Sequence, residues 1–316
     1  MNRRSISVLI LAAGLVLLSA GSVRAFKITP LMHLFDLEHG FLQPSAVAVG
    51  KNHGIYVLDG VNNQVKVFDE KGAFLFSFGS RGAAKGQFES PLGLTIDSAG
   101  RVFVADTGNR RVQLFSAEGK PQSEFPVMLK DAQHLCDPVD LALDEKHKRI
   151  YVVDNENHCV LLYSLDTFSF LERWGKEGDG RQEFRYPFFI AVGTDSTVLI
   201  VDVLNTRVQA WDPKGRAIST IGEWGVDVGQ LYRPKGVCVD KDNRVFVSDS
   251  YLGAIQVFNR YGSFLSVAGD ESGKIIKWKT PVGIAIDDRQ RLYVVEMIAN
   301  RVSVYQILHN DIEVAR

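Results

Sequence analysis

Residues 91–115, PLGLTIDSAGRVFVADTGNRRVQLF, decide the fold. Their apolar residues fall into three short runs, 92–96, 101–105 and 111–115, carried by Val, Ile and Phe. Between the runs stand a turn at 97–100 and a polar loop at 106–110, where Gly, Asp and Asn let the chain reverse. The stretch therefore predicts three short strands, and comparison of the chain with itself finds it six times. The opening prolines are Pro44, Pro91, Pro138, Pro187, Pro234 and Pro281, at spacings of 47, 47, 49, 47 and 47 residues. The acid ending the second run recurs in step, as Asp59, Asp106, Asp154, Asp202, Asp249 and Glu296. Six residues further on comes a β-branched side chain: Val65, Val112, Val160, Val208, Ile255 and Val302.

A fixed period near 47 residues with four strands per unit is the signature of propeller blades. One blade cannot bury both faces of its sheet, so neighbours must stack around an axis. The expected fold is all-β, a six-bladed β-propeller of four-stranded antiparallel blades starting near residues 44, 91, 138, 187, 234 and 281.

The phrases FVADTGNRRVQLF (103–115), LIVDVLNTRVQAW (199–211) and YVVEMIANRVSVY (293–305) resemble the core of NHL-repeat proteins. The inter-blade connectors GAAKGQFESP (82–91) and GVDVGQLYRP (225–234) do so too, and the resemblance covers residues 30 to 308. Blade three departs, with VMLKDAQHLCDP (127–138) in place of a glycine-rich connector. Blade five departs at Leu252, where blades one to four carry Asn62, Asn109, Asn157 and Asn205.

Arg3 and Arg4, an apolar run at 6–18 and a small-residue site ending at Ala25 read as a cleavable secretory signal peptide over 1–25. The apolar core is shorter than the ~20 residues of a membrane-spanning helix. No later segment is long and apolar enough to cross, so no integral span is expected after cleavage. The expected address is the periplasm or the exterior, and residues 26–316 form a single propeller. Cleavage leaves 33 basic against 37 acidic residues, a net charge of −4. Some NHL propellers bind RNA, but a mildly acidic exported chain lacks the clustered positive charge that phosphate demands, so no nucleic-acid partner is expected.

Residues 26–43 resemble the end of a blade, whereas blade six runs out of chain after its third strand. The N-terminal strand is expected to close the last blade; the rival is a strand at 312–316. Two places after each proline stand Ala46, Gly93, Asp140, Phe189, Gly236 and Gly283. Small residues suit the crowded axis, which makes Asp140 and Phe189 the chemical irregularities of the innermost ring.

The starts of strands one and three and the end of strand two share one face, here the top. Its candidate binding residues are Asp140, Phe188, Phe189 and Lys235 at the mouth, and Arg111, His158, Arg207, Tyr251 and Arg301 on the loops. Arg and Tyr are residue types that anchor interfaces. The competing reading makes the repeated Arg and Asn solvated loop residues. The recurring acids read as turn formers that accept bonds from amides of their own loops. Blade three gathers His134, Cys136, His158 and Cys159; a Cys136–Cys159 disulfide is the leading expectation, against unlinked thiols or a metal site.

The resemblance extends to propellers that cleave amidated peptide precursors and to lactonase-type propellers, which hold a metal over the channel. The peptide-cleaving kind places His just after the opening proline. Here those positions hold Ser45, Leu92, Val139, Phe188, Lys235 and Val282. With no hydrolase elbow, phosphate loop or haem motif, no metal or cofactor is expected. The sequence points to an exported, non-catalytic scaffold for a protein or peptide. The alternative is a metal-assisted lyase or hydrolase, lactonase-like, at the channel mouth.

Overall fold

In a computed structural model, which describes residues 25–129 and 135–314, the repeat of residues 91–115 becomes part of a meander. Its strands are Gly93–Ile96, Val102–Asp106, Arg111–Phe115 and Pro121–Pro126, each antiparallel to the next. Blades one, three and four repeat this as separate four-stranded sheets. The signal-peptide reading, apart from Ala25, lies outside the described residues, as does His134.

The second strands explain why blades must stack. Val102–Asp106 and Val198–Asp202 are buried at every position, because each is covered by a neighbouring blade on both faces. An apolar cluster fills each seam. That between blades six and one joins Val295, Val302 and Val304 to Val47, Val57 and Phe68.

The first strands, Ala46–Val49, Gly93–Ile96, Pro138–Asp144, Pro187–Val192, Pro234–Val239 and Pro281–Ile286, lie side by side in cyclic order around the axis. There the glycines are required by close approach. A Cβ on Gly236 would sit 2.1 Å from the Val282 carbonyl oxygen, and one on Gly283 would sit 2.6 Å from that of Ser45.

Blades five and six share one sheet because a long N-terminal strand, Phe26–Leu37, runs between them. Its residues 28–30 pair parallel with Val267, Ala268 and Gly269 of blade five. From Leu31 to Leu37 it pairs antiparallel with Ile307 to Val302 of blade six. The short strand Ile312–Val314 pairs with Phe26, Lys27 and Ile28 rather than with blade six itself. Among the described residues, no helix is long and apolar enough to cross a membrane.

Candidate functional site

The acids that end the second strands do something other than the sequence suggests. Each accepts the backbone N–H of the residue 17 places earlier, in the segment leading into its own blade. Asp59 holds Leu42, Asp106 holds Glu89, and Asp154 holds Asp137. Asp202 holds Arg185, Asp249 holds Tyr232, and Glu296 holds Lys279, so the expected bonding to own-loop amides is replaced by anchoring of the incoming connector. Own-loop amides join only in blades three and five, at Asn157, Tyr251 and Leu252. Asn109 reinforces this by bonding both Asp106 and the Gly82 carbonyl.

This correction extends to three candidate binding residues. Arg111 Nε donates to Asp106 at 2.8 Å, while its Nη2 donates to the carbonyls of Ala84 and Gln87. Arg207 does the same with Asp202, Gly180 and Glu183. Arg301 pairs with Glu296 and with Asp36 of the N-terminal strand. The side chains of Arg111 and Arg207 are only 12% and 14% exposed. They are neither free recognition groups nor solvated loop residues. They clamp connectors, because the glycine-rich loop leaves carbonyls that need buried donors.

His158 is also a structural latch. Its residue sits at φ 52°, and its Nδ1 accepts the Tyr186 N–H at 3.0 Å, binding blade three to blade four. Cys136 and Cys159 are separate buried thiols in one apolar cluster, so the expected disulfide is not present. Burial pushes the Cys136 thiol up to about 12, with Asp154 adding to the effect, and burial likewise raises Cys159. Both behave as small core residues, like Cys238.

Asp140 is buried in the innermost ring, where its Oδ2 accepts the Ile190 N–H at 3.0 Å. Its side chain fills the space left by Gly93 on the neighbouring strand. Burial raises its carboxyl to about 8 despite that bond. It is not among the residues lining the mouth.

Phe188, Phe189 and Lys235 do meet there. With Ser45, Leu92 and Val282 they line a cavity of about 470 Å³ to which Val203, Leu204, Arg233 and Met297 also contribute. Lys235 Nζ lies 4.5 Å from the centre of the Phe188 ring. Burial, with Arg233 nearby, lowers its pKa.

Around this mouth runs an arc that sequence reading missed. Two places after the recurring acid stand Leu204, Tyr251, Ile298 and Val61, which are 61%, 61%, 65% and 51% exposed. These belong to the consecutive blades four, five, six and one; blades two and three carry Gly108 and Glu156 instead. Tyr251, alone of the loop candidates, is an outward-facing member of this arc, stacked on Tyr232 at 4.1 Å. The signal lay in the repeat register, where an apolar residue beside a polar loop has no core to enter.

On the opposite end, His53, Asp287 and Asp288 form the one group of potential metal ligands among the described residues. Asp287 already accepts from the backbone of Arg289 and Arg291, from the Arg291 guanidinium and from Tyr293, so it is a turn anchor.

An NHL repeat model matches residues 135–162 and 231–258, and a model described as a 6-bladed beta-propeller matches 41–137. The chain is an NHL-repeat propeller. Among curated relatives, it is 28% identical over 236 residues to peptidyl-glycine alpha-amidating monooxygenase B of Xenopus laevis, covering 66% of this chain and 25% of that protein. It is 25% identical over 146 residues to the Drosophila melanogaster brain tumor protein, covering 46% and 14%. The chain thus spans a quarter or less of the length of these relatives. Among solved structures, a streptogramin B lyase superposes with a TM-score of 0.64 at 12% identity, over 88% of this chain and 98% of that one. A gluconolactonase from Xanthomonas campestris gives 0.65 at 15%, over 90% and 98%. At these identities the likeness is one of fold.

Proposed function

We propose that this NHL-repeat chain is exported and serves as a non-catalytic scaffold, its six-bladed ring closed by the N-terminal strand and its top face taking a protein or peptide partner. The observation that carries this reading is the apolar arc of Leu204, Tyr251, Ile298 and Val61 on four consecutive blades. Isolated exposed apolar residues need no explanation, but a contiguous set on a rigid rim beside an apolar cavity is characteristic of an interaction surface. The polar candidates are consumed by the scaffold, so recognition falls to this arc. The metal-assisted lyase or hydrolase alternative has little to work with at the mouth. Among the described residues lining it there is no carboxylate, imidazole or thiol to hold a cation.

The test is cross-linked capture from the envelope of the native host, using wild type beside a Leu204→Asp/Ile298→Asp variant with an unchanged melting curve. A defined partner held by wild type and released by the variant supports the scaffold. Equal capture by both proteins, or capture of nothing, overturns it.

A further inference from the structure

The mouth cavity has an electrostatic asymmetry that partner binding on the arc does not explain. Its two cations, Lys235 and Arg233, have no ion-pair partner among the described residues. Elsewhere half-buried cations are matched: Lys66 by Asp59, Arg111 by Asp106, Arg207 by Asp202 and Arg291 by Asp287. Lys235 has only the Phe188 ring beneath it, a far weaker compensation than a carboxylate. The Ser45 hydroxyl is buried at the same cavity and has no hydrogen-bond partner. Positive charge and a hydroxyl without partners thus share a concave space otherwise walled by Leu92, Phe188, Val203, Val282 and Met297.

We infer that this cavity binds a small apolar monocarboxylate, its anionic end at Lys235 and Arg233 and its hydrocarbon body against Leu92, Phe188, Val282 and Met297. The volume of about 470 Å³ suits a small organic molecule. The carboxylate supplies the missing counter-charge, and Ser45 offers a further donor. A phosphate dianion fits less well, because two cations and one hydroxyl replace too little of its hydration. Desolvation already depresses the protonation of Lys235, and an anion beside it reverses that effect. The site is separate from the arc, so its occupancy and partner capture succeed or fail independently.

Titration calorimetry on the mature chain with 4-phenylbutyrate, beside uncharged 4-phenylbutanol, tests this. The acid is expected to bind one to one and the alcohol at least tenfold more weakly. Lys235→Gln and Arg233→Gln should each weaken the acid severalfold and leave the alcohol unchanged. Met297→Trp, which fills the apolar end, should abolish both. Arg233 is on the exposed rim, so its variant keeps the test intact even if Lys235→Gln disturbs the Phe188 contact; thermal melts report on that. Equal binding of acid and alcohol, acid binding that survives both substitutions together, or no heat from the acid at millimolar concentration would overturn the inference.

Discussion

Asn300 of blade six accepts the backbone N–H of Gln43, just before the opening proline of blade one, at 2.8 Å across 257 positions of sequence. Asn63 treats Ser90 in the same way, at 2.8 Å, and His158 treats Tyr186. All three acceptor residues have a left-handed backbone, with φ between 52° and 54°. Asn tolerates that conformation better than most residues, which lets one side chain cap a loop and latch the next blade. The seam between the first and last blades is therefore stitched like internal ones.

Asn300→Ala should lower stability by about 1–2 kcal/mol, from the lost hydrogen bond and the strain of Ala at positive φ. Asn300→Gly relieves the strain and should cost less. Urea melts rank the two, and amide exchange at Gln43 should quicken in both.

Replacing the Arg111 clamp with Met leaves the buried Asp106 without its cation. Breaking such a pair costs about 3 kcal/mol, at the low end of the usual range because Asn109 and Gln113 still bond the acid. A chemical melt of Arg111→Met checks this, and a loss below 0.5 kcal/mol, the size of an ordinary surface change, would return Arg111 to the solvated loop.

Asp140 makes stability depend on pH with a definite sign. Its carboxyl is raised to about 8 when folded, from an ordinary value near 3.8. Between those values the folded chain holds a proton that the unfolded chain releases. Stability should fall as pH rises through that window, at up to about 1.4 kcal/mol per unit. Asp140→Asn removes the slope, so urea melts at pH 5 and pH 8 should show the variant gaining on wild type at the higher pH.

The buried thiols predict slow alkylation. Native protein at pH 8 should resist iodoacetamide, because burial holds Cys136 and Cys159 in the unreactive thiol form. Unfolded without reductant, the chain should take up three alkyl groups, and uptake of only one would restore the bridge.

The repeat was legible because its prolines, acids and β-branched residues mark backbone events that every blade must share. The roles of Arg111, Arg207 and His158 were not, since a polar residue on a loop looks the same whether it faces water or a carbonyl 24 residues away. One clue did exist. Gln113, Gln209 and Gln256 recur seven places after the acid, and each bonds a glycine-rich connector. Blade three, which lacks that connector, carries Leu161 there. Of the mouth, Phe188, Phe189 and Lys235 could be named from their distance to a proline. The cavity itself depends on side chains from several blades, which no single repeat displays.

The strand Phe26–Leu37 and its partner Arg301–Ile307 lie at opposite ends of the order of synthesis. Four blades can form in turn as the chain emerges, each from contacts within about 50 residues. The junction of blades five and six must wait for residues near 300, and then find a segment made first of all. That one pairing carries the highest loop-closure cost in the molecule. Assembly of the ring is therefore gated by its last event, and a ribosome-bound or half-translocated chain holds an open arc whose edges stay exposed until the whole length is delivered.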